Sequence, residues 1–190
     1  MGSEMCIRDR FGTDDKLKNI ETIKTASGGS EVILSAQTEI LTITGDAGVD
    51  KITGGEGVDT IDGAGGDDII TIAAAGKGDT DVMDGGADDD VLQLSTGKHT
   101  FGDDTKLKNI ETIKTASAGS EVILSAQKEA LTITGDAGND KITGGKGIET
   151  INAGDGTDTI TGGEGDDIIT GGAGDDIITG GTGTDTFKVD

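Results

Sequence analysis

Between residues 135 and 188 a large apolar side chain returns at every ninth position: Ile142, Ile151, Ile160, Ile169, Ile178 and Phe187. Each stands between polar or β-branched neighbours and behind a glycine-bearing stretch. Neither the 3.6-residue period of a helix nor the plain alternation of a long strand gives such spacing. A turn followed by three alternating positions does, with the middle residue facing inward and its flanks outward. Glycine suits the turns because it takes positive φ at little cost. Two nine-residue steps then close a coil of 18 residues, and successive coils stack parallel strands about 4.8 Å apart. The pattern predicts an all-β chain, a parallel β-roll or β-solenoid, with a ladder of isoleucines as a thin core.

The nonapeptides are nested in a longer repeat. Residues 11–55 recur with few changes at 101–145, an offset of 90. The chain divides into a segment at 1–10, a leader at 11–44, a roll at 45–102, a second leader at 103–134 and a second roll at 135–190. Nonapeptides begin at 135, 144, 153, 162, 171 and 180 in the second roll. In the first they begin at 45, 54, 63, 76, 85 and 94, with four extra residues at 72–75. Phe101 and Phe187 both hold the eighth position of a sixth nonapeptide, which confirms the frame. Phe11 reads as that position of an earlier roll, and both ends read as cut from a longer array. In each leader LKNIETIKT, SEVILSAQ and LTIT predict three short strands, with turns at Gly28–Gly29 and Ala118–Gly119. The leaders are expected to cap or splice the rolls, since solenoid ends need covering.

Composition narrows the picture. Leu, Ile, Val and Phe make up a little over a fifth of the chain, there is no Trp, Tyr or Pro, and the formal charge is −22. Such a chain lies near the border of disorder, so a conventional two-layer core is not expected. The acidity argues against nucleic acid or an anionic membrane surface as partner, and no stretch is long or apolar enough to span a membrane. Residues 1–10, MGSEMCIRDR, hold the one Cys, both arginines and two of the three methionines. They have too little hydrophobic run for a secretory signal peptide, and are taken as a foreign or disordered leader. One cysteine gives no disulfide framework within the chain.

The coil length makes the charge a local problem. Residues 18 apart lie above one another, so the sixth-position acids Asp140, Asp158 and Asp176 line one edge and Glu149, Asp167 and Asp185 the other. The first roll supplies Asp50, Asp59, Asp68, Asp81 and Asp90 in the same slot. Like charges about 5 Å apart repel by about 1 kcal/mol in water and by more at lower dielectric. A cation between coils removes that repulsion. Calcium suits the position, because it takes six to eight oxygens from carboxylates and backbone carbonyls in flexible geometry.

GGEGDDIIT, GGAGDDIIT and GGTGTDTFK, at 162–188, resemble the G-G-x-G-x-D-x-U-x nonapeptide of RTX proteins. The resemblance implies a right-handed parallel β-roll in which six residues form a calcium-binding turn and three a strand. It implies that the metal ligands are the sixth-position carboxylates just named together with turn carbonyls, among them those of Gly135, Gly144, Gly162 and residue 164, here Glu164. Each site would pair one turn with the turn a coil later: 135–140 with 153–158, 144–149 with 162–167, 153–158 with 171–176, and 162–167 with 180–185. It also implies bacterial type I secretion and folding on meeting extracellular calcium. The leaders resemble spacers of large secreted RTX adhesins and surface-layer proteins.

Several positions depart from the pattern. Glu149 is one methylene too long, Asp79 and Asp88 replace the fourth-position glycine, and His99 occupies a sixth position without a carboxylate. The insertion is expected to break the stacking of Asp59 over Asp81 unless it loops out. The first unit is therefore expected to bind less calcium than the second. GDTDVMDGG at 78–86 is not an EF-hand, since its third acid is displaced by one and helical flanks are absent. No Ser-His-Asp set, zinc spacing or phosphate loop is present in the sequence. These readings converge on a non-enzymatic, calcium-binding structural segment of a secreted adhesin or surface-layer protein. It would lie outside the cell, and a cell-surface or host ligand would be met through other parts of the parent protein. A C-terminal module of an RTX enzyme or toxin is the alternative. The outward Thr143, Thr161, Thr170 and Thr179 raise an ice-binding solenoid as a third reading.

Overall fold

A computed structural model describes residues 8–10, 20–72 and 80–188. Among them there is no helix, and every paired strand is parallel to its neighbour. The strands are β1 (Arg8–Arg10), β2 (Thr22–Lys24), β3 (Glu31–Ile33), β4 (Thr42–Thr44), β5 (Lys51–Thr53), β6 (Thr60–Asp62), β7 (Ile69–Thr71), β8 (Val82–Asp84), β9 (Val91–Gln93) and β10 (Gly97–Thr100). They continue as β11 (Leu107–Lys108), β12 (Thr112–Lys114), β13 (Ser120–Ile123), β14 (Thr132–Thr134), β15 (Lys141–Thr143), β16 (Thr150–Asn152), β17 (Thr159–Glu164), β18 (Ile168–Thr170), β19 (Ile177–Thr182) and β20 (Thr186–Lys188).

These form three sheets. A ten-stranded sheet runs the length of the molecule in the order β1-β3-β5-β7-β9-β12-β14-β16-β18-β20. A second sheet, β11-β8-β6-β4-β2, serves the first unit, and a third, β10-β13-β15-β17-β19, serves the second. The chain steps from the long sheet to a short one and back in every coil, which makes a β-solenoid.

The coil between β9 and β12 carries two strands. β10 opens the third sheet by pairing with β13, and β11 closes the second by pairing with β8. The two units therefore meet the long sheet with different strands. LTIT contributes β4 to the second sheet but β14 to the long one, and KIT contributes β5 to the long sheet but β15 to the third.

Most strands follow the predicted alternation, but Phe187, expected to face inward, is 50% exposed on β20, the edge strand of the long sheet, where no described strand stacks over it. The inward residues Ile43, Ile52, Ile61, Ile70, Leu92, Ile113, Ile133, Ile142, Ile151, Ile160 and Ile169 are buried, with Met83 continuing the ladder. Each such side chain removed from water contributes about 1.5–3 kcal/mol. The strands predicted in the leaders are present as β2, β3 and β4 and as β12, β13 and β14. Their turns take positive φ at Gly28, Gly29 and Gly119. The second leader runs as further coils of the solenoid between the two rolls.

Three expectations meet the register. The insertion at 72–75 lies outside the described residues apart from Ile72, which is buried. Stacking passes it intact, with Ile61 opposite Met83 and Ile70 opposite Leu92, 22 residues on rather than 18. His99 pairs with Val122, which in turn pairs with Ile142, so it occupies an inward core position rather than the sixth-position edge. Gly97 and Ser120 are the residues in register there, because the strand leading to buried Phe101 follows β13 instead of the nonapeptide count. Residues 1–7, set aside as a leader, lie outside the described residues, while Arg8–Arg10 form β1 and pair with β3.

Candidate metal centre

The turns between strands place the sixth-position acid immediately before the next strand, at the rim of the core. Stacking then hands each acid to the coil before it. The N–H of Asp140 donates to Oδ1 of Asp158 at 2.7 Å, and the N–H of Asp158 donates to Oδ1 of Asp176 at 2.9 Å. On the other edge Glu149 N–H donates to Asp167 at 2.8 Å and Asp167 N–H to Asp185 at 3.1 Å. The first roll repeats the scheme from Asp50 to Asp68 (2.7 Å), from Asp59 to Asp81 (2.8 Å) and from Asp68 to Asp90 (2.8 Å). All the predicted carboxylates thus fall into rows, and one oxygen of each stacked acid is a hydrogen-bond acceptor for the backbone. Their spacing in the sequence points only to a ligand role for these groups.

The second oxygens separate the sites. Asp50 receives N–H donors from Ser30 and Asp46 and the hydroxyl of Thr25. Asp59 receives the N–H groups of Leu41 and Gly55. Asp140 receives Ser120 N–H, Thr115 Oγ1 and Asp136 N–H. In contrast, Oδ2 of Asp68, Asp90, Asp158 and Asp167 and Oε1 of Glu149 are buried without a partner. A buried, unpaired charged oxygen is costly unless a cation or proton meets it. Burial accordingly pushes Asp68 up to about 7, Asp90 to about 6 and Glu149 to about 7, with charge from the neighbouring acids adding to the shift. Burial likewise raises Asp140, Asp158 and Asp167.

Backbone carbonyls complete the surroundings. A Cβ added to Gly162, first in its turn, would fall on both Asp167 Oδ2 and the carbonyl oxygen of Gly180 one coil later. The same pairing recurs at Gly144, between Glu149 and the Gly162 carbonyl, and at Gly135, between Asp140 and the Ala153 carbonyl. First-position glycine is thus needed to let a carboxylate and a carbonyl of adjacent coils approach one another. At residue 164, Glu164 donates its N–H to the Gly145 carbonyl at 2.9 Å and lies in register with Thr182. No group of three or more His, Cys, Asp or Glu side chains converges among the described residues, so backbone oxygens must contribute to any metal shell. One or two carboxylates with carbonyl oxygens, and no nitrogen or sulfur, is a donor set for a hard divalent cation.

Sequence reasoning missed Glu111. It stands before β12 as acids stand before β5, β7, β9, β16, β18 and β20 of the long sheet, and its Oε2 accepts the N–H of Asp90 at 2.8 Å. The nonapeptide frame stops short of it; its Ile-Glu-Thr-Ile context, shared with Ile148–Ile151, was the available signal.

Stacked turns that each bring a rim carboxylate against backbone carbonyls define a metal-binding β-solenoid. The family is more specific: four copies of the RTX calcium-binding nonapeptide repeat match residues 42–70, 75–97, 132–160 and 152–187, over half of the chain, which belongs to that family. Comparison with curated proteins gave no match.

Proposed function

We propose that this chain is a calcium-folded structural segment of a secreted bacterial protein, of the adhesin or surface-layer kind, and has no catalytic role. The observation that carries the reading is the row of buried carboxylates with one oxygen bonded to the backbone and the other unpartnered at Asp68, Asp90, Glu149, Asp158 and Asp167. Calcium between coils would meet those oxygens together with the turn carbonyls and neutralise the rows. Binding to the folded chain alone stabilises it by mass action, so the chain would stay unfolded where calcium is scarce and fold outside the cell.

The test is far-UV circular dichroism of the chain, starting in chelator and titrating calcium. A cooperative coil-to-β transition at roughly 10⁻⁴ to 10⁻³ M, the range of extracellular calcium modules, is the expected result. A β spectrum identical in chelator and in excess calcium would defeat the proposal.

A further inference from the structure

Residues 98–131, between the second and third matched stretches, carry no matched nonapeptide, yet the carboxylate row of the long sheet extends one strand into them. Asp50, Asp68 and Asp90 precede β5, β7 and β9, and Glu111 precedes β12. Asp90 is 1% exposed; its Oδ1 accepts the N–H of Asp68, its own N–H goes to Glu111 Oε2, and its Oδ2 has no partner. The backbone is clamped as well, with the N–H groups of Glu111 and Thr112 both donating to the Asp90 carbonyl at 3.2 and 3.1 Å.

What lies beside the orphaned oxygen matches the nonapeptide turns in kind but not in sequence. A Cβ on Gly85 would fall on Asp90 Oδ2 and on the carbonyl oxygen of Asn109. At Gly63 the corresponding pair is Asp68 Oδ2 and the Gly85 carbonyl, and at Gly162 it is Asp167 Oδ2 and the Gly180 carbonyl. Asn109 therefore supplies the carbonyl that a first-position glycine supplies elsewhere. It does so at φ +48°, a conformation that Asn tolerates better than most residues. Its amide holds that shape by donating to Asp84 Oδ1 at 2.7 Å.

From this geometry we infer a calcium site at the joint between the two units, with the carboxylates of Asp90 and Glu111 and the carbonyl of Asn109 among its oxygens. It rests on the calcium reading above and adds two ligands, Asn109 and Glu111, from outside the nonapeptides. The ion there ties β9, the last long-sheet strand of the first roll, to β12, the first long-sheet strand of the second leader. The row of sites thereby extends one strand beyond the last nonapeptide turn of the first roll and stops at β14, which Leu131 precedes.

Calorimetric titration of the whole chain with calcium tests this, comparing wild type with Glu111→Gln. Glutamine keeps the acceptor for Asp90 N–H and removes the charge. The variant should bind one calcium ion fewer per chain while reaching the wild-type β content at saturating calcium. Glu21→Gln, 90 residues earlier and exposed before β2, should keep the full number. Equal stoichiometry and affinities in wild type and Glu111→Gln would overturn the joint site and leave the wider reading intact. A wild-type chain that binds no calcium would defeat both. If Glu111→Gln does not fold, the wild-type chain decides with substoichiometric Mn²⁺ as a paramagnetic probe. Broadening of the Asn109–Thr112 amide signals along with those of the turns supports the site; sharp signals there while the turns at 153–167 broaden overturn it.

Discussion

Asp158 accepts the backbone N–H of Asp140 through Oδ1 at 2.7 Å, while its Oδ2 is buried with no partner. One carboxylate thus serves as a clamp between coils and as a candidate ligand, and two substitutions separate the roles. Asp158→Asn keeps the acceptor and removes the buried charge, so in chelator it should show no less β signal than wild type. In calcium it should be less stable. Asp158→Ala also strands the Asp140 N–H and should cost about 1–3 kcal/mol beyond Asp158→Asn in calcium. Urea titrations in calcium and dichroism spectra in chelator provide the comparison.

The first-position glycines make a second prediction. In Gly162→Ala the new methyl would overlap Asp167 Oδ2 and the Gly180 carbonyl, both candidate ligands. Calcium should then drive folding only at higher concentration, seen as a raised midpoint in the dichroism titration. Gly102 has open space where its Cβ would be, and Gly102→Ala should leave the midpoint in place.

Core substitutions should act without regard to metal. Ile160 is fully buried within the ladder, whereas Ile178, a coil nearer the end, is only partly so. Ile160→Ala should lose about 2–5 kcal/mol of stability, and Ile178→Ala distinctly less, in urea unfolding at saturating calcium.

Acidity should move the calcium-free and calcium-loaded chains in opposite directions. Burial holds Asp68, Asp90 and Glu149 at about 7, about 6 and about 7, whereas an unfolded chain releases such protons near pH ~4. Between those values the folded state holds more protons, so without metal its stability falls as pH rises through the window. Calcium requires the deprotonated carboxylates, so its affinity should fall as pH drops from about 7 to about 5. On acidification over that range the β signal in chelator should rise, and melting temperatures in calcium should fall. The same direction in both buffers would contradict the assignment.

The period of nine made the inward ladder, the 18-residue coil and the acid rows legible, because those features depend on spacing within the repeat. What it could not give depends on a coil without a repeat. His99 counts as a sixth position, yet β10 takes its register from β13, and the side chain enters the core. Glu111 lies outside any nonapeptide and joins the row only because β12 stacks on β9. The hydrogen bonds from each coil's N–H groups to the acids of the next were also hidden, since charge spacing alone says nothing of which oxygen meets the backbone.

The strand pair between β9 and β12 carries a consequence for recognition. Lys51 projects from the ten-stranded sheet, while Lys141, its counterpart 90 residues on, projects from a five-stranded one. The two near-identical units are therefore out of phase, and the same epitope is displayed on different walls. A binder specific for one KIT strand can occupy both copies on a single chain without competition, yet a flat bivalent partner lying along one wall meets only one of them.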